Sequence, residues 1–131
     1  MLWADLTVEE HLYFYARMKG VKPENEKMQV DKAISEVMLD KFRAYKTKTL
    51  SGGMKRRLSV AISLVSDPKI IYLDEPSTGL DPENRRQLWD ILSECKGKRA
   101  IVLTTHSMEE ADVLCDRIGI VTDGVLRCVG P

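Results

Sequence analysis

The sequence predicts an α/β fold: a mainly parallel sheet interleaved with helices, preceded by a helical layer. Three observations carry this. After residue 68, short apolar runs near 69–73, 99–104 and 117–121 alternate with amphipathic stretches, and β-α-β alternation places strands in parallel. Before residue 50 the apolar residues recur at helical spacing, without β-branched runs. The chain has 131 residues, 44% hydrophobic and 31% charged, enough to bury a real core.

Each element has its own signal. Thr7 and Glu10 read as a capping box that launches a helix carrying Leu12, Tyr15, Ala16 and Met18 and ending near Gly20. Pro23 opens a second helix, which runs to about residue 39 with Met28, Ala33, Ile34, Val37 and Met38 as its packing stripe. A basic, turn-like stretch from Lys41 to Thr49 follows as a solvated connector. Leu50-Ser51-Gly52-Gly53 leads into a helix carrying Met54, Leu58, Ala61, Ile62 and Val65. Lys69 to Leu73 forms a buried strand, Asp81-Pro82 caps and starts a helix through about Cys95, and Arg99 to Thr104 forms the next strand. Ser107 and Glu110 make a second capping box for a short helix to about Cys115. Arg117 to Val121 is a third strand, and Thr122-Asp123-Gly124 turns a hairpin into Val125 to Val129. The change of texture near residue 50 divides the chain into a helical part, 1–49, and an α/β part, 50–131.

Composition excludes several functions. Twenty basic and twenty acidic residues cancel, so no nucleic acid partner is expected. Cys95, Cys115 and Cys128 are odd in number and lack CxxC grouping, which argues against a disulfide framework or a zinc site and fits a reducing, cytosolic setting. No stretch approaches the ~20 apolar residues that cross a bilayer, and the start of the chain has no signal-peptide layout. A membrane role therefore calls for another polypeptide segment.

Chemistry concentrates in four places. Asp74 and Glu75 end the first buried strand, at the carboxyl edge where α/β sheets present ligands. Neighbouring strand side chains point to opposite sides, so these two carboxylates take different jobs. Ser51, Gly52 and Gly53 sit where a helix begins, and a helix N-terminus with exposed backbone donors is an anion site; in isolation the tetrapeptide is also an ordinary turn. Lys55, Arg56 and Arg57 point around the helix and read as solvated surface. His106 follows the second strand and lands on the same edge as Asp74 and Glu75, where a neutral imidazole can hydrogen-bond a phosphate oxygen. Ser77-Thr78-Gly79-Leu80-Asp81 is a turn that Gly79 permits and Asp81 closes.

In order and spacing, Leu50 to Met54 resembles the signature motif of ATP-binding-cassette (ABC) proteins, Ile70 to Glu75 their Walker B strand, Ser77 to Asp81 their D-loop, and His106 their switch histidine. The wider text, Leu6-Thr7-Val8-Glu9-Glu10-His11-Leu12 and Thr104 to Asp112, looks most like subfamily A of the ABC transporters, associated with lipid movement. Met54 stands where many relatives carry glutamine, and no Gly-x-x-x-x-Gly-Lys-Ser/Thr phosphate loop (Walker A) occurs in the 131 residues.

The resemblance implies the C-terminal part of a P-loop, RecA-like ATPase core behind a partial helical subdomain that docks a transmembrane domain, with the cassette on the cytosolic face. It implies ATP and Mg²⁺ as cofactors, with Asp74 holding the metal through water and Glu75 orienting and deprotonating the attacking water. It implies head-to-tail packing with a second nucleotide-binding domain, so that Leu50, Ser51, Gly52, Gly53 and Asp81 serve a nucleotide sandwiched between the two. Asp74, Glu75 and His106 would then act on the nucleotide bound by this domain's own phosphate loop, expected upstream of Met1. The alternative is a non-enzymatic truncated cassette that regulates another ABC subunit. A soluble ABC ATPase of translation or DNA repair is disfavoured by the transporter-like helical part and the absence of coiled-coil heptads.

Overall fold

The Thr7 hydroxyl accepts the Glu10 N–H while the Glu10 carboxylate accepts the Thr7 N–H, and this reciprocal box starts α1, Val8–Met18. It does so in a computed structural model that describes residues 1–131. Pro23 occupies the first turn of α2, Pro23–Glu36, where a missing N–H costs nothing. Val8, Leu12 and Ala16 of α1 meet Val30, Ala33 and Ile34 of α2 in the core. Of the methionines in the expected stripes, Met18, Met28 and Met38 are exposed, Met28 by 59% although it lies within α2, and Met38 because α2 stops two residues before it and it takes a positive φ of 56°. Val37 and Leu39 instead carry the core past the helix end.

The connector between α2 and the next helix is tied down more than its composition indicates. It holds two 3-10 turns, Asp40–Phe42 and Thr47–Thr49. Arg43 pairs with Asp31 of α2 and Glu9 of α1, and Lys48 pairs with Asp5. Buried His11 fastens the N-terminal segment: its Nε2 accepts the Trp3 N–H at 2.8 Å, which leaves Nδ1 to donate to the Thr7 carbonyl at 2.8 Å. This tautomer satisfies both ring nitrogens of a fully buried imidazole.

Ser51 caps α3, Gly52–Leu64, by accepting the Met54 N–H. Leu58, Ala61, Leu64 and Val65 belong to a single cluster of 21 buried residues to which α1, α2, α3, β1, α4 and, through Leu114, the last helix contribute. β1, Ile70–Asp74, pairs in parallel with β2, Ala100–Thr104, across α4, Pro82–Lys96, which Asp81 caps. Ile71, Leu73, Ile101 and Leu103 of the strands face this core. On the opposite face Ile70, Tyr72 and Val102 are open, Tyr72 by 74%. α5, Met108–Leu114, leads to a separate antiparallel ribbon of β3, Ile118–Thr122, and β4, Val125–Gly130. Asp123 and Gly124, with φ of 53° and 74°, form its turn, matching the two positive φ values of a type I′ hairpin. No helix is long and apolar enough to cross a membrane.

Two buried polar side chains, Arg99 and Glu110, join the layers. The Arg99 guanidinium, only 2% exposed, donates to Glu36 at the end of α2 and to Asp67 before β1. Burial works to lower its pKa, but its hydrogen bonds to the Glu36 and Asp67 carboxylates outweigh this and leave it raised. Glu110 does not close the second capping box. Ser107 accepts the Glu110 N–H as expected, but the Glu110 side chain turns inward and accepts the Trp89 indole N–H of α4, leaving the Ser107 N–H to Thr105.

Candidate active-site edge and helix terminus

At the carboxyl end of β1 and β2 the register sets Asp74 beside Thr104, and the Thr104 hydroxyl donates to the Asp74 carboxylate. Glu75 leaves the strand with φ of 43°, a left-handed conformation that costs a side-chain-bearing residue ~1–2 kcal/mol. Two bonds hold it there: its N–H reaches the Thr104 carbonyl at 3.0 Å and the Thr104 hydroxyl at 3.2 Å. Strain of this kind persists where surrounding contacts over-determine it, and functional sites are where it collects.

Beyond the bend the Glu75 carboxylate meets Thr78 and His106, whereas Asp74 meets Thr104. One Glu75 oxygen accepts the Thr78 hydroxyl at 3.2 Å, and the other lies 3.4 Å from His106 Nδ1. The fold therefore brings Asp74, Glu75 and His106 to one solvent-facing edge. Asp74 has the hydroxyl of Thr104 as its neighbour, and no group of three or more His, Cys, Asp or Glu side chains forms a metal cage. One carboxylate beside one hydroxyl suits Mg²⁺, which keeps several waters and shares its remaining positions with phosphate oxygens.

The other expected residues gather at the start of α3. Leu50 lies in the core, so its side chain packs beneath the turn and does not reach the surface. Ser51 and Gly52 are exposed, and a Cβ on Gly52 would meet nothing within 4 Å, which leaves backbone room for a ligand. The first-turn N–H groups of Gly52 and Gly53 have no intrahelical acceptor. α3 has no acidic residue in its first turn, whereas each of the other four α-helices has at least one. An anion arriving there meets open donors and the positive end of the dipole.

Gly53 differs from Gly52. It is buried, and a Cβ placed on it would lie 2.0 Å from Asn84 Oδ1. Asn84 is itself fixed by Asp81, whose carboxylate accepts its backbone N–H and side-chain amide. Those bonds hold the Asp81 carboxyl below its usual pKa range. Asp81 thus reaches the signature turn through Asn84.

Two residues read from sequence as solvated surface have specific partners. Arg57 Nη1 donates to the Val37 and Met38 carbonyls just beyond the end of α2, and burial lowers its pKa. Arg56 Nη2 donates to the Thr78 carbonyl at 3.0 Å, bridging α3 to the turn after β1. Neither partner lies within reach of a local spacing rule, being 20 and 22 residues away. A cavity of about 480 Å³ lies between α4, β2 and the link from α5 to β3, lined by Leu92, Ile101, Leu103, Leu114 and Cys115 among others; it does not include the Asp74–His106 edge.

Residues 5–112 match the family model described as an AAA domain, a description that also names an AbiEii toxin and a type IV TA system. Three relatives from Arabidopsis thaliana align over 99% of the chain. They are ABC transporter A family member 2, 55% identical, member 9, 54% identical, and member 11, 52% identical. The chain spans only 13–14% of the length of these relatives.

Proposed function

Because the chain belongs to the AAA-domain family and is a stretch of ABC-transporter subfamily A nucleotide-binding domain, we propose that it contributes half of each of two ATP sites that drive transport across a membrane. The observation that carries this is the edge on which Glu75, bent out of β1, meets His106 and Thr78 while Asp74 stands apart with Thr104. In this reading residues 1–49 are part of the helical subdomain that faces a transmembrane domain, and residues 50–131 carry the signature helix and the second half of the ATPase core. The cassette works on the cytosolic side of the membrane that holds its parent protein.

Asp74 is the group that would hold Mg²⁺, which when bound neutralises phosphate charge. The Glu75 carboxylate, hydrogen-bonded to Thr78 and close to His106, orients a water and accepts its proton. His106 places an imidazole nitrogen at the same edge, where it can contact the terminal phosphate. Ser51 and the Gly52 and Gly53 N–H groups offer a separate anion surface to a nucleotide bound mainly by a second nucleotide-binding domain. Movement of lipid is the transport class proposed.

The test is steady-state ATP hydrolysis by the complete transporter carrying Glu75→Gln. Turnover is expected to fall by roughly 10²–10⁴, the contribution of a positioned base. Unchanged hydrolysis would remove Glu75 from that role.

A further inference from the structure

Four side chains form one continuous path from the anion-facing end of α3 to the hydrolytic edge of the same chain. Arg56 Nη2 donates to the Thr78 carbonyl at 3.0 Å, the Thr78 hydroxyl donates to Glu75 at 3.2 Å, and the other Glu75 oxygen lies 3.4 Å from His106 Nδ1. The turn that carries Thr78 is anchored at both ends, by buried Ser77 and by Leu80, which packs against the core and whose carbonyl accepts Arg85 Nη2 at 3.4 Å, while Thr78 itself stands clear of the core. The turn's backbone bonds are the Thr78 N–H to the Glu75 carbonyl and the Leu80 N–H to the Ser77 carbonyl, at 3.2 and 3.3 Å, and Gly79 beside Thr78 adopts φ of 80°. Thr78 and Gly79 are exposed, and Arg56 is the hydrogen-bond donor from outside the turn that holds Thr78 itself, at its carbonyl.

We infer that Arg56 and Thr78 are positioning residues for Glu75, through which the seat of the signature turn governs the aim of the hydrolytic carboxylate. A carboxylate with one oxygen tied to a hydroxyl is restricted in rotation, and the other Glu75 oxygen then faces His106 and the open edge where a water can reach it. Arg56 touches neither nucleotide nor water in this scheme and acts only through the Thr78 carbonyl. Any ligand that shifts the first turn of α3 moves Arg56, which lies one turn into that helix, and with it the Thr78 hydroxyl. The two surfaces proposed to serve different nucleotides are thereby joined inside one polypeptide. The inference rests on the reading of Glu75 as the base.

The experiment is ATP hydrolysis by the complete transporter with Arg56→Met, which keeps the aliphatic stem and removes the donor, and with Thr78→Val, Thr78→Ser and the Arg56→Met/Thr78→Val pair. Arg56→Met and Thr78→Val are each expected to lower kcat about tenfold with KM for ATP within about twofold, since misplacing a catalytic group by ~1 Å costs up to ~10²-fold. Thr78→Ser is expected to restore kcat, and the double variant to be no slower than Thr78→Val, because residues on one path do not add. Wild-type kcat in Arg56→Met, or a double variant slower by the product of the two single losses, would overturn the relay. If Glu75→Gln hydrolyses normally, the reading of Glu75 as base fails instead.

Amide exchange in the complete transporter gives an independent readout. Arg56→Met is expected to speed exchange at Thr78 and Leu80 while that of Leu58 in the middle of α3 stays unchanged. Unchanged exchange at Thr78 and Leu80 would also overturn the relay.

Discussion

Gly53 lies so close to Asn84 that a Cβ in its place would fall 2.0 Å from the side-chain oxygen. The neighbouring Gly52 has nothing within 4 Å of the same position. Two adjacent glycines of one motif therefore answer to different demands, packing for Gly53 and open approach for Gly52. Gly53→Ala forces Asn84 off its bonds to Asp81 and is expected to destabilise the chain by ~1–2 kcal/mol, about the value of a lost cap. Gly52→Ala is expected to leave stability within ~0.5 kcal/mol, as for other open surface positions. Urea denaturation of both variants checks this, and equal effects would contradict the distinction.

Arg99 holds α2 against the sheet with a guanidinium that has almost no contact with solvent. Removing one partner of a buried pair leaves the other uncompensated, so Arg99→Met is expected to cost about 3–5 kcal/mol, less to the extent that half-exposed Asp67 regains water. The companion change Glu36→Gln in the Arg99→Met background is expected to recover part of the loss. A double-mutant cycle on the denaturation midpoint measures it, and purely additive effects would show that the pair is not coupled.

Acid is expected to loosen the same junction. The Asp67 carboxyl lies below its ordinary value of 3.8, first because Arg99 and then because Lys32 donates to it. A carboxyl depressed in the folded state contributes stability above the unfolded value, and that contribution is lost as pH falls through the folded one. Asp5, Glu10 and Asp81 are depressed as well and act in the same direction. The urea midpoint should hold from about pH 7 to 5 and drop below about pH 4, and Asp67→Asn should flatten part of that drop. A midpoint that rises on acidification would contradict the assignment.

One face of the β1–β2 pair exposes Ile70, Tyr72 and Val102, and neither strand has a partner on its outer edge. Open apolar faces and open strand edges both promote association. The 131-residue chain is expected to bind a hydrophobic dye and to self-associate as concentration rises, and Tyr72→Lys with Val102→Thr should reduce both. Light scattering decides, and a wild-type chain that stays monomeric at high concentration would contradict the expectation.

What sequence revealed and what it hid divide along the range of the interactions. The Thr7–Glu10 box, the Ser51 and Asp81 caps and the Asp123-Gly124 turn all depend on residues a few positions apart, and the parallel pairing of the two apolar runs, thirty positions apart, follows from the β-α-β alternation between them. Each was legible. The clustering of Asp74, Glu75 and His106 followed from the rule that ligands gather at the carboxyl edge of strands, which needs topology alone. The jobs of Arg43, Arg56, Arg57 and Arg99 were hidden, because a charge reads as surface until a partner from another helix is placed beside it. Glu110 misled for a related reason: its capping spacing is correct, but the buried Trp89 N–H takes its carboxylate. Met38 fits a helical period, yet α2 ends early and leaves it exposed, while Met28 lies on the solvent side of α2, whose buried face is carried by Val30, Ala33 and Ile34.

The central claim is that this chain serves two nucleotides with two separate surfaces. Amide exchange in the complete transporter, held in its Mg-ATP state by Glu75→Gln, tests it most directly. Exchange is expected to slow about tenfold or more at Gly52 and Gly53, whose N–H groups would then donate to phosphate, alongside slowing at the 74–78 edge. Slowing at 74–78 with Gly52 and Gly53 exchanging as freely as without nucleotide would contradict it, leaving the signature turn as an ordinary start to a helix.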